Sequence, residues 1–146
     1  LYCVNAADGK KIWQFETAGP VNCSPAVVAD RLATGKFRGS TFVTGCDEQM
    51  PVIDIETGKV AWQINLPGPA LTNYSGVLST AGGLLFFGES SGGIAAVDAR
   101  TGRYLWHFEA NRPIKASPMT YAVHGRQYTA IASGANVLSF ALPEEP

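Results

Sequence analysis

Val4-Asn5-Ala6-Ala7-Asp8-Gly9-Lys10-Lys11-Ile12-Trp13-Gln14-Phe15 returns with the same spacing as Ile53-Asp54-Ile55-Glu56-Thr57-Gly58-Lys59-Val60-Ala61-Trp62-Gln63-Ile64, and a third time from Val97 to Phe108. Each copy is an apolar run ending on Asn or Asp, a turn carrying Asp-Gly or Thr-Gly, and a second apolar run holding a Trp, which is the signature of a β-hairpin. The carboxylates of Asp54 and Asp98 are suited to accept hydrogen bonds from the amides of their own turns. Gly9, Gly58 and Gly102 supply the positive φ such turns need. These acids are therefore assigned to structure. Trp13, Trp62 and Trp106 each offer a large apolar plate for a neighbouring sheet to cover, with an indole N–H that seeks a backbone acceptor.

The three Trp residues stand 49 (13 to 62) and 44 (62 to 106) positions apart, and a fixed period of about 40 to 50 residues marks an array or a propeller. The surplus in the first interval falls within Leu32 to Thr41, read as a loop insertion. Upstream of the later hairpins lie two more strands each, Ala26 to Ala29 with Thr41 to Thr44, and Val77 to Thr80 with Leu84 to Phe87. The repeating unit is therefore four-stranded, with inner strands starting at Asn22-Cys23-Ser24-Pro25, Asn73-Tyr74-Ser75-Gly76 and Lys115-Ala116-Ser117-Pro118. A proline is tolerated there because an edge strand has amides without ladder partners. The fold class is all-β: β-propeller blades of four antiparallel strands, about three in the chain.

Strand counting divides a single propeller segment, 1–146, into an outer half-blade (1–19), two blades (20–66 and 67–110) and an inner half-blade with strands near Pro118 to Val123, Gln127 to Ser133 and Val137 to Leu142 (111–143). Propellers typically have about four to eight blades, so one copy is expected to leave blade faces and strand edges open, which favours self-association. The expected partners are other copies of the chain or further blades, with the half-blades complementing each other. The chain opens on Leu1 with no signal-peptide pattern, and is expected to be an excised or processed segment.

A net charge of −1 with no basic patch speaks against nucleic acid or an anionic membrane as partner. The longest apolar runs, Gly83 to Gly88 and Ile94 to Val97, are strand-sized, so no membrane insertion is expected. Charged residues make up 16% of the chain, below the roughly 25% of an average soluble domain, in keeping with much surface buried between repeats. Cys3, Cys23 and Cys46 lack CxxC or CxxCH spacing and are read as buried thiols. Asp47-Glu48 is read as a solvated loop, Glu144-Glu145 as a tail, and His107 and His124 as surface residues without partners at metal-ligand spacing. Neither His has an orienting acid for a Ser-His-Asp arrangement. Gly82-Gly83 and Gly92-Gly93 join strands and open no helix, so they form no phosphate cradle.

The repeat, Asp-x-x-Thr-Gly followed by Trp, resembles the tryptophan-docking motif of the quinoprotein propellers, whose dehydrogenase members bind pyrroloquinoline quinone (PQQ). Asn73 to Gly88 is similar to the penultimate segment of PQQ-dependent alcohol dehydrogenases. Ser117-Pro118-Met119-Thr120-Tyr121, with Gly125-Arg126-Gln127-Tyr128 and Ala132-Ser133-Gly134, is similar to their C-terminal blade. Leu1 to about Leu66 instead resembles the compact repeats of PQQ-like proteins such as the outer-membrane assembly lipoprotein class. The resemblance implies PQQ on the propeller axis, with a calcium ion polarising its carbonyl and a catalytic Asp taking the alcohol proton.

Those ligands and that base lie mainly in family segments absent here, so no catalytic or metal residue is assigned and the chain alone is expected to be inactive. By resemblance Asn73, Tyr74, Ser75, Gly76 and Asn136 are the cofactor-binding candidates. The chain departs from the family at three points: Tyr74 stands where Trp is frequent, Gly134-Ala135-Asn136 replaces Gly-Gly-Trp, and no vicinal Cys pair is present. Two alternatives stay open, a non-catalytic scaffold that binds protein and a self-assembling propeller fragment. Kinship with these families implies a periplasmic location.

Overall fold

The structure, a computed structural model, describes residues 1–21, 23–31, 37–43, 49–67 and 75–143. Every regular element among them is a strand. β1 (Tyr2–Val4) and β2 (Lys11–Gln14) form a hairpin. β3 (Ala26–Arg31), β4 (Phe37–Phe42), β5 (Gln49–Asp54) and β6 (Val60–Asn65) form a four-stranded sheet in chain order, as do β7 (Val77–Ser79), β8 (Leu84–Gly88), β9 (Gly93–Asp98) and β10 (Tyr104–Glu109). β11 (Met119–Val123), β12 (Arg126–Ser133) and β13 (Asn136–Phe140) make a three-stranded sheet. All neighbouring strands are antiparallel. The first strands of the two four-stranded sheets, β3 and β7, lie against each other, as the inner strands of successive blades do.

The hairpin turns form as their sequences dictate. Asp54 Oδ1 accepts from the Glu56 and Thr57 amides and the Thr57 hydroxyl, and Asp98 Oδ1 repeats this with Arg100 and Thr101. In the first copy Asn5 Oδ1 accepts from the Ala7 amide. Gly9, Gly58 and Gly102 sit at φ of 71°, 69° and 72°, where a Cβ is unfavourable.

A feature the residue pattern did not reveal accompanies each turn. Cys3 pairs with Trp13 but Val4 with Lys11; Val52 pairs with Trp62 but Ile53 with Val60; Ala96 pairs with Trp106 but Val97 with Tyr104. Ile12, Ala61 and Leu105 are thus bulged out of their ladders. A bulge adds local twist and re-aims the residue beside it, here the Trp.

The sheets stack through two apolar cores. Phe42, Met50, Val52 and Leu66 meet Leu85, Phe87, Ala95 and Val97, with Trp62 and Ile64 at the margin. Ile94 and Ile114 meet Ile131, flanked by Leu138 and Phe140. Alternate residues of β9 therefore serve opposite faces, Ala95 and Val97 towards the preceding sheet and Ile94 towards the following one, as the two-residue period of a strand requires.

Two expectations need correction. The Leu32 to Thr41 stretch is not all loop: β4 begins at Phe37 and pairs with β3 as far as Arg31↔Phe37, so the extra residues lengthen a hairpin. Backbone pairing continues there because an isolated Gly such as Gly39 does not end a ladder whose partner strand is already in place. Cys3 and Cys23 are half-buried rather than enclosed, since short strands near an open sheet edge leave one side uncovered. Cys46, Asp47-Glu48 and Glu144-Glu145 lie outside the described residues.

Candidate functional site

Of the five candidate cofactor residues, Asn73 and Tyr74 lie outside the described residues. Ser75 is fully buried where the chain enters β7. Its hydroxyl accepts from the Gly88 amide at 2.8 Å and lies 3.0 Å from the Ala116 carbonyl, to which it donates. One side chain thus ties the start of β7 to the end of β8 and to the segment leading into β11. Gly76 packs directly under Ser117, where a Cβ would collide with the hydroxyl, and Gly88 packs in the same way under buried Ile114. Ser75 and Gly76 therefore hold the frame at this end of the sheets, and no room remains for a side chain at either glycine.

Asn136 opens β13 and pairs with Ser133 across the Gly134-Ala135 turn, exposed. Because β11 and β12 are antiparallel, this turn shares an end of the sheet with the entry to β11, and so with Ser75. A Cβ on Gly134 would lie 3.1 Å from Arg112 Cδ, and Gly92 of the β8–β9 turn packs against the Arg112 backbone. Arg112, which the motif comparison passed over, thus lies against both turns, with its backbone beside Gly92 and its side-chain stem beside Gly134, at the end that carries Asn136. Among the described residues no three His, Cys, Asp or Glu side chains come together, so calcium ligands are not assigned.

A second polar cluster was missed from the sequence. Glu89, at the end of β8, is buried, and its carboxylate lies 2.9 Å from His107 Nε2 and accepts from Tyr104 Oη at 3.2 Å, both on β10. Its backbone carbonyl also accepts from the Gly92 and Ile114 amides. Burial, then the neighbouring Glu89 charge and hydrogen bond, push the Tyr104 phenol far above its ordinary pKa, so it stays a donor. His107 is half-exposed, as expected of a surface residue, yet it has an acidic partner. Glu89 and His107 are 18 residues apart on non-adjacent strands, a separation no local motif encodes.

At the other end of the sheets a cleft of about 440 Å³ opens between the two four-stranded sheets, lined by Val28, Phe42, Gly83, Asp98 and Arg100 among others. Its lining contains none of the candidate cofactor residues.

Four-stranded antiparallel sheets stacked face to face, with first strands converging, define a β-propeller segment. The sequence matches the family described as outer membrane protein assembly factor BamB over residues 1–144, and the chain belongs to that family of PQQ-type propeller repeats. It is 47% identical over 76 residues to quinohemoprotein alcohol dehydrogenase ADH IIB of Pseudomonas putida, covering 52% of this chain and 11% of that protein. It is 32% identical over 136 residues to the quinohemoprotein alcohol dehydrogenase of Comamonas testosteroni, covering 90% of this chain and 18% of that protein. BamB from Moraxella catarrhalis superposes with a TM-score of 0.58 at 18% identity, covering 91% of this chain and 53% of that one, a likeness of fold. The chain is thus related to the PQQ-dependent alcohol dehydrogenases and spans less than a fifth of the length of these two relatives.

Proposed function

We propose that this chain forms the blades framing the quinone end of a PQQ-type alcohol dehydrogenase propeller, with Asn73, Tyr74, Asn136 and Arg112 towards the cofactor and Ser75 and Gly76 as the frame behind them. The observation that carries this is the meeting of the Ser75 junction, the Asn136 turn and Arg112 at one end of the sheets. PQQ is a planar polycarboxylate, and a guanidinium beside an exposed amide suits it. When bound, the quinone supplies hydride acceptance. The residues of this chain bind and orient, and none is assigned the proton transfer. Kinship with the dehydrogenases supports a periplasmic location, calcium as a further ligand and the tryptophan-docking role of the repeat, and the open sheet faces support association with further blades or copies.

The test is equilibrium dialysis of PQQ against the chain, with and without calcium. Saturable binding is expected, weakened about tenfold by Arg112→Gln through loss of a charge-assisted contact. Absence of saturable binding, or an unchanged affinity in Arg112→Gln/Asn136→Ala, would overturn the proposal. A protein-binding scaffold is the second reading, favoured by the exposed apolar face of the last sheet, where Met119, Tyr121, Val123 and Val137 face outward together.

A further inference from the structure

The segment that carries Arg112 is an arch with both feet on one turn. The Ala110 amide donates to the Gly92 carbonyl at 2.8 Å and the Ile114 amide to the Glu89 carbonyl at 3.2 Å, so both ends of the span are tied to the turn between β8 and β9. Between them the chain has little freedom. Asn111 sits at a φ of 56° with its amide held by Glu109 Oε1 at 3.1 Å, and Pro113 fixes its own φ. Ile114 is buried against Gly88, where a Cβ would collide with it. The Arg112 backbone stands so close to Gly92 that a Cβ there would lie 2.9 Å from its nitrogen. Among the described residues no carboxylate pairs with Arg112.

The turn beneath the arch is fastened by the Glu89 side chain. The Glu89 amide donates to the Gly93 carbonyl at 2.8 Å and its carbonyl accepts from the Gly92 amide at 3.1 Å, which closes the turn. Its carboxylate then ties the turn to β10. Oε2 lies 2.9 Å from His107 Nε2 and accepts from the Ser91 hydroxyl at 3.4 Å, while Oε1 accepts from Tyr104 Oη at 3.2 Å. One residue therefore bears a foot of the arch on its backbone and an anchor to the outer strand on its side chain. Releasing that anchor would leave a carboxylate buried and unpaired, so the clamp resists opening.

We propose that Glu89, clamped by His107 and Tyr104, is the positioning residue for Arg112: the clamp fixes the turn, the turn fixes the arch, and the arch presents Arg112 at the quinone end. The ligand class is the planar polycarboxylate already assigned to that end, and the inference rests on that reading. Glu89 acts through the backbone and contacts no ligand itself. Position matters here because a charge-assisted hydrogen bond to a carboxylate is short, about 2.7–2.9 Å, so a small displacement of the arch lengthens it out of range. His107, half-exposed on β10, is the member through which the clamp can be loosened without opening a core.

Two measurements on the full chain test it. Without quinone, amide exchange followed by NMR should show the Ala110 and Ile114 amides of His107→Ala exchanging about tenfold faster than in the parent, relative to the ladder amides between β8 and β9. In equilibrium dialysis the same variant should bind PQQ about three- to tenfold more weakly, the range open to a change that acts through neighbours. His107→Gln, which keeps a donor, should recover most of that loss. In an Arg112→Gln background His107→Ala should weaken binding no further, because the contact it positions is already gone. Gly58→Ala, which strains a turn at the other end of the sheets, should destabilise the chain and leave the affinity unchanged, separating positioning from stability. Arch amides that exchange as in the parent overturn the proposal. So does a His107→Ala chain that binds PQQ like a binding parent, which sinks the positioning role and leaves the quinone reading standing, and so does a full additional loss in the Arg112→Gln background. A parent chain without saturable binding removes the quinone reading and this role together, and the exchange data then still report whether the clamp holds the arch. Should His107→Ala lose its fold by circular dichroism, Tyr104→Phe, which removes only the hydroxyl on the other carboxylate oxygen, carries the same decision.

Discussion

Replacing single glycines by alanine separates the value of a tryptophan contact from the strain of a turn. Gly9, Gly58 and Gly102 have φ within three degrees of one another, so the left-handed strain of an added Cβ is common to all three, about 1–2 kcal/mol. They differ in what that Cβ meets. At Gly9 it meets open space, whereas at Gly58 and Gly102 it presses into Trp13 and Trp62 at 2.7 and 2.8 Å. Forcing an atom into such a contact displaces the ring and costs a further amount of about 1–3 kcal/mol. Gly9→Ala should therefore lose about 1–2 kcal/mol, and Gly58→Ala and Gly102→Ala about 2–5 kcal/mol, the sum of the two terms. Urea denaturation of dilute chain, followed by Trp fluorescence, reads the difference as a shift in midpoint at constant slope. Equal losses at all three positions would refute the reasoning, because the indoles would then contribute nothing that the turns do not.

Two further outcomes follow from particular side chains. His107→Ala leaves the buried Glu89 carboxylate short of a partner and should cost about 1–3 kcal/mol; His107→Gln, the residue that follows Trp13 and Trp62, keeps a donor and should cost less than half as much in the same urea assay. The Thr101 hydroxyl and the Arg100 amide hold the exposed Asp98 carboxyl below its ordinary pKa. The stabilisation from that turn is therefore complete above the ordinary carboxylate range and is lost as pH falls through the lowered folded value. Asp98→Asn should remove this part of the acid dependence when unfolding midpoints are compared from neutral pH downwards, and an unchanged acid limb would contradict the assignment.

The hairpins were legible because everything that makes them is local. Asp98, Thr101 and Gly102 lie within five residues, and their hydrogen bonds close inside one turn. The two inter-sheet cores were legible only as alternation: β9 reads as a continuous apolar run, and which of Ile94 and Ala95 faces which neighbour depends on the register with β8 and β10. The bulges at Ile12, Ala61 and Leu105 left no mark in residue type, since any side chain can occupy the extra place. For the candidate site, resemblance led to Ser75 and Gly76, and the structure gives them a physical task, closing the junction between β7, β8 and the entry to β11. Arg112 escaped notice because its role comes from two turns packing beside it rather than from a motif.

Comparing the copies with one another distinguishes what stacking demands from what it does not. Where the copies agree, at Trp13 and Trp62 and at Gly58 and Gly102, an indole of one sheet lies over the turn glycine of the next. Among the positions where the second four-stranded sheet departs from the first in sequence, three bear side chains that touch: at the 44-residue offset from Trp62 to Trp106, Glu89 aligns with Gly45, His107 with Gln63 and Tyr104 with Val60. A buried carboxylate carries a desolvation cost of several kcal/mol unless it is paired, so Glu89 alone would be a liability in this fold. With His107 and Tyr104 both reaching it, the three substitutions form one unit that removes the cost each would impose singly. The unit joins β8 to β10 across the intervening β9. Gly93 of β9 lies beneath it, where a Cβ would collide with both the His107 ring and the Glu89 carboxylate. Gly93, which the sequence offered as part of a simple turn, is therefore also the space into which that hydrogen-bonded pair is folded.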